Sequence, residues 1–106
     1  MYQPFTVELK NKPEYQRLLP GSPQTCGMKS GKVHLEAGKS VGKHNTEQRE
    51  EMLIILSGNG KAVIEGRNFD ITKGQIAYIP PNNEHDIINT GSEPLIYVFC
   101  VAPVTA

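Results

Sequence analysis

Tryptophan is absent from the 106-residue chain, aromatic residues make up 7% of it, and cysteine occurs only twice, at Cys26 and Cys100. The core is therefore expected to be aliphatic, and disulfide stapling is not needed, because a chain of this length buries roughly 65% of its unfolded surface. Excess charge is missing as well: eleven Lys+Arg balance eleven Asp+Glu, and the formal net charge is zero. Without a basic field there is nothing to hold phosphate backbones or an anionic lipid surface. No nucleic acid and no membrane is expected as a partner. Long apolar runs are lacking too, the longest being 52–56 and 95–102 with five and eight residues, far short of the ~20 that a membrane span needs. The N-terminus has no basic segment followed by a long apolar one, and no Asn-x-Ser/Thr acceptor occurs. Together with two ordinary thiols, these absences give cytoplasmic as the expected location.

What is present is regular punctuation. From residue 50 onward, turn-forming residues recur every seven to ten positions: Gly58 and Gly60 around Asn59, Gly66 with Asn68, Gly74, Pro80 and Pro81 with Asn82 and Asn83, and Gly91. Between them lie short β-rich runs at 52–56, 61–65, 69–72, 75–79, 85–89 and 95–101, and the first half adds 5–9, 15–19 and 31–36. No window shows sustained helical periodicity. Short strands at this spacing predict an all-β antiparallel sandwich or barrel. One unit is expected, with residues 1–25 as an irregular N-terminal arm and 26–106 as the barrel.

Alternation along the strands assigns faces. Val33 and Leu35 are expected inside, with Lys32, His34 and Glu36 facing away. The runs 52–56 and 95–99 are apolar on both faces, so both faces need cover. A homodimer is the expected source of the second cover, with the opposite sheet's edge and the N-terminal strands as the other possibilities.

The candidate chemical residues are His44, the pair Glu50 and Glu51, and His85. Singly, each is compatible with a solvated loop or a charged strand edge. Their spacing is more informative. From Gly38, five residues lead to His44, one more to Thr46, four to Glu51 and six to Gly58; from Gly74, five lead to Pro80, then come Asn82, two residues, His85, three residues and Asn89. This resembles the two motifs of the cupin superfamily, G(X)5HXH(X)3,4E(X)6G and G(X)5PXG(X)2H(X)3N, over residues 38–89. Two positions depart from the pattern. Asn82 replaces a glycine, a mild change because Asn tolerates a left-handed backbone. Thr46 replaces the second His, which removes one metal ligand.

The resemblance implies a double-stranded β-helix, or jelly roll, holding one divalent transition metal through His44, Glu51 and His85. Two imidazoles and one carboxylate form the ligand set of the facial triad, with open positions for substrate, and the set suits Fe, Mn, Ni, Zn or Co. Parity supports Glu51 over Glu50, since Glu51 shares a strand face with Leu53 and Ile55. Thr46, Gln48 and Tyr78 are candidates to support the metal or touch substrate, although Tyr78 shares the face of Ile76 and is also a packing residue. The expected function is a small metal-binding cupin, a metal-dependent dioxygenase or isomerase acting on a small polar substrate of sugar or carboxylate type. The rival expectations are a module that binds a small, sugar-like ligand without metal, and a subunit valued for its apolar strands. No nucleophile elbow or phosphate-cradling loop followed by a helix occurs.

Overall fold

Runs of β-branched and other apolar residues, each closed by a glycine or asparagine turn, pair here as antiparallel hairpins. The computed structural model describes residues 2–104. Its strands are β1 (Gln16–Pro20), β2 (Lys29–Leu35), β3 (His44–Asn45), β4 (Arg49–Ser57), β5 (Asn59–Ile64), β6 (Arg67–Thr72), β7 (Ile76–Ile79), β8 (Glu84–Ile88) and β9 (Leu95–Pro103). One sheet has the order β1-β2-β9-β4-β7 and the other β3-β8-β5-β6. Every strand pairing is antiparallel. The architecture is the all-β antiparallel sandwich expected from the punctuation, with the jelly-roll form that the resemblance implies. No helix among the described residues is long and apolar enough to cross a membrane.

The two sheets enclose an aliphatic core. Leu53 and Ile55 of β4, Ile79 of β7 and Leu95 of β9 face Ala62, Ile64, Ile71 and Ile87 of the other sheet. Each fully buried Leu or Ile contributes roughly 1.5–3 kcal/mol of transfer free energy. Gly58, which closes β4, is required twice over. Its φ is +83°, and a Cβ there would lie 2.3 Å from the Pro94 carbonyl oxygen.

Three features differ from the sequence expectations. Residues 5–9 form no strand: the arm's backbone is held instead by a side chain, with Gln16 Oε1 accepting from Lys10 N at 2.8 Å and Gln16 Nε2 donating to the Glu8 carbonyl at 2.9 Å. Residues 16–20 form a strand that pairs with β2, close to the β-rich run expected at 15–19 but at odds with an arm irregular through residue 25. Lys32 lies on the outward face as expected, yet it is only 5% exposed. Its ammonium donates to the carbonyls of Lys10 and Lys12, so the arm covers it. The outermost positions of the expected arm and barrel, 1 and 105–106, lie outside the described residues.

Candidate metal centre

The site begins with a two-residue strand that the sequence reads as a loop. β3 pairs with β8 in a register that sets His44 opposite His85, and the imidazole centroids are 4.1 Å apart, edge to face. Glu51 enters from the other sheet, on the inward face of β4. One ligand atom from each of His44, Glu51 and His85 lies within 4.8 Å of the others. Glu50, by contrast, faces outward and accepts the Tyr78 hydroxyl at 2.8 Å. Side chains forty-one positions apart meet because the turn through Pro80 and Pro81 sends β8 back beneath β3. Asn82 in that turn has φ +60°, the left-handed conformation the motif position requires.

Hydrogen bonds fix both tautomers. Nδ1 of His44 lies 2.8 Å from the Gly42 carbonyl, and Nδ1 of His85 lies 3.0 Å from the Asn83 carbonyl. A carbonyl only accepts, so each Nδ1 carries the proton and each neutral ring turns a lone pair outward at Nε2. For His85 that lone pair is buried. Its Nε2 lies 3.2 Å from Glu51 Oε1 but is not aligned for a hydrogen bond, and it has no hydrogen-bond partner. His85 is 2% exposed and Glu51 8%. Two acceptors facing each other away from water need a cation between them, a proton or a metal ion.

The protonation energetics express the same need. Burial pulls the His85 pKa down, but the Glu51 carboxylate, the Asn83 carbonyl and the charges of Glu51 and Asp86 together outweigh it and raise it above the ordinary 6.5. A metal fits the same gap. First-row ions take His nitrogen and carboxylate oxygen at ~2.0–2.2 Å, so ligand atoms are at most ~4.4 Å apart around them. The exposed His44 is the ligand freest to close the small difference. Near the site, burial first and then the charges of Glu51 and Asp86 drive the Tyr97 phenol far above its usual pKa, so it stays protonated at neutral pH. Burial and Glu51 likewise raise the Cys100 thiol, which argues against a thiolate nucleophile.

Asp86 supports the centre from behind. Its Oδ1 accepts the Gly42 amide at 2.9 Å, and the Gly42 carbonyl in turn holds His44. Replacing Asp86 with alanine is expected to weaken zinc binding about tenfold, in the range typical of outer partners of metal ligands. Asp86→Asn keeps an acceptor oxygen and should stay close to the natural protein. Competition with a chromophoric chelator measures both, and equal affinities for Asp86→Ala and the natural chain would remove this role.

The remaining candidates separate. Thr46 lines the cavity in front of the centre, where its hydroxyl donates to the Arg49 carbonyl at 3.1 Å. Gln48 lines a separate hollow at the rim, and its carbonyl accepts the Val104 amide at 2.9 Å. Tyr78 stands on the outer face, 56% exposed. The structure therefore brings neither Gln48 nor Tyr78 to the cavity wall. It adds residues that the sequence reading passed over, Arg49 and the alternating Tyr97, Phe99 and Val101 of β9. Their parity with Glu51 and Leu95 was the available signal.

A family model described as a cupin domain matches residues 31–101. An uncharacterized protein of Methanocaldococcus jannaschii is 39% identical over 61 residues, 58% of this chain and 47% of that protein. A glucose-6-phosphate isomerase of Pyrococcus abyssi is 32% identical over 60 residues, covering 52% and 32%. An oxalate-binding protein of Thermotoga maritima is 31% identical over 67 residues, covering 63% and 55%. The aligned stretches thus span about half or less of these relatives' own lengths. Among solved structures, a Bacillus halodurans protein superposes with a TM-score of 0.82 at 19% identity, over 98% of this chain and 84% of its own. Motif spacing, jelly-roll topology and a family match over well over half the sequence agree: the chain belongs to the cupin family.

Proposed function

We propose that this protein binds one divalent transition metal, Fe, Mn, Ni, Zn or Co, through His44, Glu51 and His85, and that it is a metal-dependent enzyme acting on a small substrate of sugar or carboxylate type at the mouth of the β-sandwich. The observation that carries this reading is the buried Nε2 of His85, a lone pair without a hydrogen-bond partner set against the Glu51 carboxylate. The relatives named as an isomerase and an oxalate-binding protein support a small, oxygen-rich ligand. A bound ion of this class supplies Lewis acidity toward a carbonyl or carboxylate oxygen. The chain's own residues present the ligands from one side and leave the cavity side open to substrate. Elemental analysis of purified protein, before and after incubation with Fe(II), Mn, Ni or Zn, is expected to find close to one ion per chain. Finding none would favour the second reading, a metal-free binding module, which the threonine at position 46 supports by removing one ligand.

A homodimer and a cytoplasmic location belong to the same proposal. On the outer face, Met52 sits opposite Tyr78 and Ile54 opposite Ile76. All four are exposed, Ile76 to 67%, and together they make an apolar patch suited to a second copy. Both cysteines are free, which fits a reducing compartment. Light scattering at micromolar concentration is expected to give about twice the 11.7 kDa chain mass. Ile76→Asp should halve that mass without unfolding the chain, because the side chain it replaces is already in water. A single-chain mass for the natural protein would count against the dimer.

A further inference from the structure

The cavity in front of the metal centre has a volume of about 470 Å³, within the range of small-molecule sites. Its walls are mostly apolar: Val33, Ile87, Phe99 and Val101 line it, and Tyr15 stacks on Phe99 with ring centroids 6.4 Å apart. Gly31 makes that stack possible, since a Cβ there would lie 2.5 Å from the Tyr15 hydroxyl and 2.8 Å from the Phe99 ring. Two of the polar groups that also line it are already engaged. Asn45 Oδ1 accepts the Glu47 amide at 2.6 Å, and the Thr46 hydroxyl donates to the Arg49 carbonyl.

Arg49 is different. It lies two residues before Glu51 on the same face of β4, roughly 6.6 Å away at a rise of ~3.3 Å per residue. The ion pairs among the described residues are His34 with Glu36, Lys61 with Asp70 and His85 with Glu51. None uses Arg49, so this exposed residue offers an unpaired planar donor on the cavity wall it shares with Glu51.

We infer that the ligand is a small carboxylate with an apolar body, its carboxylate taken by the Arg49 guanidinium beside the His44, Glu51 and His85 centre and its body lying against Val33, Ile87, Phe99 and Val101. This deepens the proposed function and rests on its placement of substrate in front of the metal. The fork of arginine matches the two oxygens of a carboxylate. A sugar fits less well, because its hydroxyls would lose water to the apolar walls of Val33, Ile87, Phe99 and Val101.

The test titrates zinc-loaded protein with benzoate, 3-methylbutanoate and glucose by calorimetry, with metal content measured on the same samples. Benzoate and 3-methylbutanoate are expected to bind and glucose not. Arg49→Gln should weaken the two carboxylates about 10- to 100-fold, the size of a lost charge-assisted hydrogen bond, while zinc content stays at the natural level. Arg49→Lys keeps the charge without the fork and should lose less than Arg49→Gln. Equal affinity in Arg49→Gln, binding of glucose in preference to the carboxylates, or no carboxylate binding by fully loaded protein would each overturn the inference and leave the metal reading standing. Failure to take up zinc would overturn the metal reading instead. The same titrations on that metal-free protein would then still decide whether Arg49 holds the carboxylate.

Discussion

Loading the protein with zinc is expected to raise its melting temperature by about 10–20 °C, and Glu51→Gln or His85→Ala is expected to abolish both the rise and the bound ion. The magnitude follows from linkage. A ligand at 100 times its Kd stabilises the folded state by about 2.7 kcal/mol, and each kcal/mol moves the midpoint of a domain near this size by roughly 4–8 °C. The choice of Glu51→Gln follows from the geometry. With Nδ1 of His85 committed to the Asn83 carbonyl, Nε2 meets the Glu51 carboxylate acceptor to acceptor at 3.2 Å. Glutamine supplies an N–H where the cation would be, so the metal-free variant should fold with its buried lone pair satisfied while the ion loses its anionic ligand. His85→Ala loses the ion too, but it also opens a cavity, so the glutamine variant is the cleaner test. Stoichiometric zinc in Glu51→Gln would show that the acid is not a ligand.

The same pair sets the direction of pH dependence. The His85 pKa is raised in the folded state, so its protonation stabilises the metal-free protein fully below the ordinary imidazole pKa of 6.5. That contribution is lost as pH rises through the folded value. Metal binding requires the unprotonated Nε2, so stabilisation by zinc grows over the same interval. For one proton the slope is at most about 1.4 kcal/mol per pH unit. Thermal melts with and without zinc should therefore diverge as pH is raised from 6 to 8. Parallel curves would mean that His85 does not exchange its proton for the ion.

The sequence exposes this centre because hairpin geometry converts spacing into position. Turns at Gly58, Asn82 and Gly91 fix the strand lengths, and parity then selects Glu51 over Glu50, whose carboxylate accepts the Tyr78 hydroxyl on the outer face. Other features depend on contacts that leave little local trace. β3 is two residues long, too short for any period to register, and it exists because β8 offers it an edge. The burial of Lys32 depends on the arm's carbonyls at Lys10 and Lys12, twenty and more positions away in sequence. The apolar cavity comes from two sheets whose relative placement no alternation pattern encodes. Arg49 shares the strand face of Glu51 by parity, but that it borders a cavity is decided by the second sheet.

Not every residue of the two motifs serves the chemistry, and Asn89→Ala should show this by destabilising the protein by about 2–4 kcal/mol while leaving zinc content per folded chain unchanged. Asn89 is 1% exposed. Its Nδ2 donates to the carbonyls of Leu35 at 2.9 Å and Glu93 at 2.8 Å, and its Oδ1 accepts the Gly91 amide at 2.9 Å. It thereby ties the end of β2 to the turn that launches β9. Three hydrogen bonds at roughly 0.5–1.5 kcal/mol each set the scale, and the orphaned buried carbonyls place the loss toward its upper end. Asn89→Asp should be worse than alanine near neutral pH, because it turns a carboxylate toward two carbonyl oxygens with little water to screen it. Urea unfolding at constant m-value measures both variants. A loss below 1 kcal/mol in Asn89→Ala would mean that water replaces the side chain. A loss of zinc from the folded variant would mean that the turn at Gly91 and the ligands on β8 are mechanically coupled.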